Sequence, residues 1–229
     1  MKNMIDITAD FTDPAFLAAV YEIIEKPMNE PIYKSDVEAI DILEIEERDI
    51  RSLNGIEHFS ALTLLNCSYN CLSILPTLPS GLLVLICCHN QLNELPDLPA
   101  SLWCLSCDDN KLVELPRLPE NFEMLSCNNN QIIELSCLPD TIRLLWVKDN
   151  LLTKLPKLPS DLWDFSCDNN NLTSLPELPS GVDWFSCVGN PLREYPGNID
   201  LYNNMKKSLH VDSNRYHWKK ITLINTYKK

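Results

Sequence analysis

Six cysteines recur at one spacing: Cys67, Cys87, Cys107 and Cys127, then Cys167 and Cys187, with Val147 in the place between. Stacked thiols could in principle ligate a metal or exchange disulfides. Neither chemistry suits this pattern. A tetrahedral metal site needs a further His or Cys nearby, and the four histidines, His58, His89, His210 and His217, are scattered. If the copies stack as parallel strands about 4.8 Å apart, their side chains approach poorly for a disulfide. Free cysteine otherwise packs as a small hydrophobe, and that is the role expected of this column, with no metal and no cofactor. Cys104 and Cys107 form a C-x-x-C, but alternation along a strand sends them to opposite sides. The chain has no phosphate-cradling glycine loop and no H-E-x-x-H. Nothing assembles a nucleophile with a base, so no catalytic residue is assigned and the chain is not expected to be an enzyme.

The cysteines belong to a larger periodicity. Asn stands at 70, 90, 110, 130, 150, 170 and 190, every 20 residues. Five places before each comes Leu65, Leu85, Leu105, Leu125, Leu145, Phe165 or Phe185, and two places after comes Leu or Ile. The unit reads L-x-x-L-x-C-x-x-N-x-L-x-x-L-P-x-L-P-x-x. The apolar residues at 65 and 67, with variable residues between, have period 2 and predict a short strand. Successive copies supply one another's strand neighbours, which makes a parallel sheet along one side of a solenoid. The Asn falls where the chain leaves the strand, and its amide can satisfy backbone groups of adjacent turns. In the return leg each Pro removes a donor and fixes φ, and prolines three apart suit polyproline II. The convex side is therefore extended rather than helical, and its P-x-x-P letters are accounted for by the repeat.

These repeats resemble the short L-P-x-L-P leucine-rich repeats of bacteria, known from type III secreted effectors and from cytoplasmic or surface proteins. The match runs over residues 62–196, with Ser136 replacing one Pro and Val147 one Cys. Upstream, Ile40, Leu43, Ile45, Ile50, Leu53, Ile56, Phe59 and Leu62 make a 22-residue variant that resembles the first turn of internalin-like repeats. The resemblance implies a leucine-rich-repeat solenoid of the α/β horseshoe class, with about eight turns. Some effector relatives carry a ubiquitin-ligase domain with a catalytic C-x-D. Cys107-Asp108-Asp109 has those letters, but its Cys faces the core and no extra domain of suitable size follows, so that activity is not expected here. A regulatory subunit of such a ligase and a structural repeat without a ligand are the alternative readings.

The solenoid's ends need covering. Asp13-Pro14 and the apolar run after it predict a helix that ends before Pro27, with Asp13 as N-cap and Pro14 at the first position. A second short helix is expected over Ser35–Ala39. Residues 1–39 are thus read as an N-terminal cap, 40–196 as the repeats, and 197–229 as a C-terminal cap with a basic tail.

Charge narrows the partner. The total is −13, distributed as −9 over residues 1–60, −9 over 61–190 and +5 over 191–229. An acidic body argues against nucleic acid, whose binding rests on cations meeting phosphate. No stretch reaches the ~20 apolar residues of a membrane span. The N-terminus lacks an apolar signal core, and ten cysteines then point to a reducing compartment. The chain is expected in a cytoplasm, or secreted into a host cell without a conventional signal peptide, and as a monomer. The repeats disagree with one another at outward strand positions. Trp103, Trp146, Trp163 and Trp184, with Asp108, Asp109, Asp149, Asp164 and Asp168, fall on or beside that concave side. Tryptophans anchor interfaces and carboxylates select basic partners. A protein partner, basic in character, is the ligand expected there.

Overall fold

The computed structural model describes residues 5–193. The C-terminal segment 197–229, with the amphipathic helix expected over Ile199–Leu209 and the strand over Lys220–Tyr227, lies outside the described residues.

Eight three-residue strands form one parallel sheet in sequence order. They are β1 (Ile42–Glu44), β2 (Leu64–Asn66), β3 (Val84–Ile86), β4 (Cys104–Ser106), β5 (Met124–Ser126), β6 (Leu144–Trp146), β7 (Asp164–Ser166) and β8 (Trp184–Ser186). From β2 to β8 each residue pairs with the one 20 places on, as Leu105 does with Leu125. Between β1 and β2 the offset is 22, Leu43 against Leu65, which matches the longer first turn read from the sequence. From β2 onward no helix or strand interrupts the return legs among the described residues, as their prolines require, whereas the proline-free return leg of the first turn contains a 3-10 helix at Ile56–His58.

The apolar positions of the repeat meet inside. Leu65, Leu85, Leu105, Leu125, Leu145 and Phe165 are fully buried, as are Cys67, Cys87, Cys107, Cys127, Val147 and Cys167. Leu72, Leu92, Leu112, Ile132, Leu152 and Leu172 close the turn end of this core, and Leu82, Leu102, Phe122, Ile142 and Leu162 the opposite end. Where the Leu column changes to Phe, the rings of Phe165 and Phe185 stack at 5.3 Å.

The asparagine column ties the turns together. Asn110 Oδ1 accepts the Leu92 N–H of the preceding turn at 3.0 Å. Its Nδ2 donates to the carbonyls of Cys107 and Asp108 in its own turn and of Cys87 in the preceding one. Asn90, Asn130, Asn150 and Asn170 repeat the arrangement. Asn70 carries it into the first turn, accepting from Arg48 and Ile50 and donating to the Ile45 carbonyl. Each ladder Asn follows a residue in the left-handed region: Tyr69, His89, Asp109, Asn129, Asp149 and Asn169 have φ between 52° and 57°. That conformation favours Asn, Asp and Gly, which explains most of the residue types in this column. At Gly189 (φ +78°) an added Cβ would stand 2.1 Å from Asn169 Oδ1.

At the N-terminal end α1 (Pro14–Ile23) starts where the sequence places it. Asp13 Oδ1 accepts from the Ala15 and Phe16 amides at 2.9 Å. Its Oδ2 accepts the Arg51 N–H, so the cap residue also fastens the helix to the first turn. Phe16, Ala19, Val20 and Tyr21 form the buried side, and Phe16 stacks on Phe59 with Phe11 edge-on to both. The second helix, α2, covers Lys34–Val37, one to two residues earlier than the expected Ser35–Ala39. The Asp36 carboxylate accepts the Tyr33 N–H and so caps its start.

Replacing Asn130 removes four hydrogen bonds, three of them fully buried, and strands several backbone groups, each worth about 1–3 kcal/mol when left unmade. Asn130→Ala is expected to lower the unfolding free energy by about 3 kcal/mol in a urea titration. Its exposed neighbour Gln131→Ala should move it by less than about 0.5 kcal/mol.

Candidate functional site

The side chains that the strands direct away from the core make a closed floor. Leu64, Val84, Cys104, Met124, Leu144 and Asp164 are buried, and so are Ser106, Ser126, Trp146, Ser166 and Ser186. Trp146 and Asp164, expected from the sequence to be accessible, are each only 2 % exposed. The reason is local. Trp146 lies in register between Ser126 and Ser166, and both serines are fully buried, so a large indole fills the space two small side chains leave. Its Nε1 donates to Asp164 Oδ1 at 2.9 Å. Cys104 donates to Met124 Sδ at 3.5 Å, and Cys88 Sγ lies 3.0 Å from Ser106 Oγ. The floor is mostly occupied with its own packing.

A second polar ladder runs just beyond the strand ends. Asp108 Oδ1 accepts from Ser126 Oγ at 2.6 Å and the Asn128 N–H at 2.8 Å. Asn128 Oδ1 accepts the Lys148 N–H, and Asp168 Oδ1 accepts the Val188 N–H at 2.7 Å and the Ser186 hydroxyl. Both carboxylates thus serve the next turn's backbone while remaining half-buried at the surface. The recurrence of a polar side chain at 68, 108, 128 and 168 is the signal that identifies them.

Two rims stand above the floor. One is the left-handed column, where Tyr69 stacks on His89 at 4.2 Å and His89 Nε2 lies 3.3 Å from Asp109 Oδ2. Asn129 donates to Asp109 and Asn169 to Asp149 at 2.7 Å. Asp109 is half-buried and Asp149 exposed. The other rim precedes the strands: half-buried Trp103 and Trp163, exposed Leu83 and Asp183, and Arg143 paired with Glu123 at 3.4 Å. Trp184 is half-buried at the β8 end. Of the nine residues singled out in the sequence, seven therefore reach the surface along these rims and the polar ladder, and Trp146 and Asp164 do not. Sequence reasoning missed Glu44, Glu46 and Glu47. They are exposed and continue the same positions into the first turn, and Glu47 shares the left-handed conformation of Tyr69.

The thiols are placed for packing rather than reaction. Burial pushes the Cys67 thiol from the ordinary 9.0 up to about 12 and Cys187 up to about 11. Burial, together with neighbouring cysteines, raises Cys107 and Cys167 as well. A nucleophilic cysteine needs the opposite shift, which weighs against a catalytic role for Cys107. Among the described residues no three His, Cys, Asp or Glu side chains group closely enough to hold a metal. Eight cysteines are buried, Cys71 is half-buried and Cys137 exposed. With a chromogenic thiol reagent, Cys137 should react at once, Cys71 slowly, and the other eight only on unfolding. The raised thiols stabilise the fold fully below pH 9.0. Their contribution should fall as pH climbs from 9.0 towards about 12, because the unfolded chain loses those protons first.

No family model matches the chain, and no curated protein matches it either. Solved structures do. YopM, a leucine-rich effector protein from Yersinia pestis, is similar at 32% identity and a TM-score of 0.66, over 71% of this chain and 46% of that one. YopM from Yersinia enterocolitica WA-314 also has 32% identity, with a TM-score of 0.57, over 69% of this chain and 39% of that one. A leucine-rich-repeat domain of a Shigella effector has 25% identity and a TM-score of 0.61, over 85% of this chain and 92% of that domain. The chain thus spans less than half the length of the two YopM chains. No helix among the described residues is long and apolar enough to cross a membrane. With its 20-residue register and its asparagine ladder, the chain is a leucine-rich-repeat solenoid, and its turns are similar to those of these bacterial effector proteins.

Proposed function

We propose that the chain is a protein-binding module that docks a basic partner across the concave side, held by the two rims and the Trp184 end. The observation that carries this reading is the surface placement of Trp103, Trp163 and Asp183 along one rim, Trp184 at the β8 end, and Asp108, Asp109, Asp149 and Asp168 along the polar ladder and the opposite rim. Half-exposed indoles offer large, rigid contact area. Carboxylates on the same concave side select cationic partners and speed encounter. The eight-strand ladder holds these groups over roughly 34 Å at the usual strand spacing, without needing to order them on binding. The likeness to effector repeats supports a bacterial adaptor or secreted effector acting, as a monomer, in the cytoplasm of the bacterium or of a host.

The test compares proteins captured by the wild type with those captured by Trp163→Ala combined with Asp149→Asn. Both changes lie on the rims and leave the ladder bonds of the asparagine column intact. Basic proteins captured by the wild type should be lost from the variant, and 0.5 M salt should elute them, since the screening length falls from about 8 Å at 0.15 M to roughly 4 Å. An unchanged set of captured proteins contradicts the reading.

A further inference from the structure

The polar column just beyond the strand ends already holds a cation. Lys148 is the single basic residue in the column that contains Glu46, Ser68, Cys88, Asp108, Asn128, Asp168 and Val188. Its Nζ lies 3.3 Å from Asp168 Oδ2 and 5.5 Å over the Trp184 ring. The Lys148 and Asp168 side chains are only 23% and 16% exposed. Asp168 cannot easily turn away, because its Oδ1 is fixed by the Val188 amide and the Ser186 hydroxyl. Its Oδ2 is thereby aimed at the ammonium, with the Ser166 hydroxyl 3.4 Å away. A carboxylate at a set angle beside an indole face is the recognition chemistry of a lysine or arginine side chain.

We propose that Asp168 and Trp184 form the subsite that receives a cationic side chain of the partner, and that Lys148 occupies it in the unbound chain as a built-in competitor. This rests on the reading of the concave side as a surface for a basic partner. Guanidinium is the better ligand of the two cations: its planar fork engages a carboxylate and stacks on an indole together, and it is more weakly hydrated than ammonium. An arginine of the partner therefore displaces Lys148, whose flexible stem lets the ammonium swing into solvent. Lys148 sets specificity by raising the threshold that a basic ligand must exceed.

The test titrates fluorescein-labelled hexa-arginine into the full chain and reads anisotropy. Lys148→Met should tighten binding about three- to tenfold, and adding Trp184→Leu should remove that gain. Removing any lysine makes the chain more acidic, so Lys154→Met is the control. Lys154 is exposed, pairs with Glu134 at 3.1 Å and lies off the concave side, so its loss should change affinity by less than twofold. If Trp184→Leu does not fold, the indole N–H resonance of Trp184 in Lys148→Met replaces it and should shift on peptide addition. Equal tightening in Lys154→Met, no tightening in Lys148→Met, a gain that survives Trp184→Leu, or an unmoved Trp184 resonance would each overturn this subsite and leave the basic-partner reading standing. Failure of hexa-arginine to bind any variant overturns that reading, and the subsite with it.

Discussion

The side-chain amide of the recurring asparagine is the contact on which the rest of the molecule depends. A three-residue strand followed by a tight turn leaves carbonyls and amides pointing into an apolar interior, where each unmade bond carries a cost. One Asn per turn meets that need from both directions, donating to its own turn and the preceding one while accepting an N–H from the latter. Glutamine is a methylene too long for this geometry, and Asp lacks the donor. The left-handed residue before each Asn follows from the same turn, and it fills one rim with Asp, Asn and His. The 20-residue period is the length at which strand, turn and an extended return leg close around this amide.

Close stacking has a second consequence. Side chains in register on adjacent parallel strands touch one another, so the outward side of the sheet packs nearly as tightly as the inward side. Trp146 and Asp164 are absorbed into that packing, with the indole N–H satisfied by the carboxylate. What remains for a partner is the line of residues just before the strands and the line just after them. The tryptophans and aspartates that differ between turns are concentrated there. The division of labour is between an invariant frame and two variable borders.

The fold was almost wholly legible because its rules are local and repeat. The strand positions, the inward cysteines, the Asn ladder, the 22-residue first turn and the Asp13 cap each follow from residue type and spacing. The site was legible only in outline. Alternation told which side of the sheet Trp146 and Asp164 occupy, but whether an outward side chain is covered depends on the volumes of its neighbours in the adjacent turns. Two serines beside an indole decide it here. The double duty of Asp108 and Asp168, which serve the next turn's backbone, likewise depends on register between turns. Glu44, Glu46 and Glu47 were overlooked because the longer first turn breaks the 20-residue count. The Lys148–Asp168–Trp184 contact joins three turns and has no signature within any one of them.

Recognition at the borders of a closed floor is tested most directly by hydroxyl-radical footprinting of the chain with a captured basic partner. Protection is predicted at Trp103, Trp163, Trp184, Tyr69 and His89, with Trp146 unreactive both free and bound. Protection confined to the L-P-x-L-P return legs, with these five residues unchanged, would contradict it.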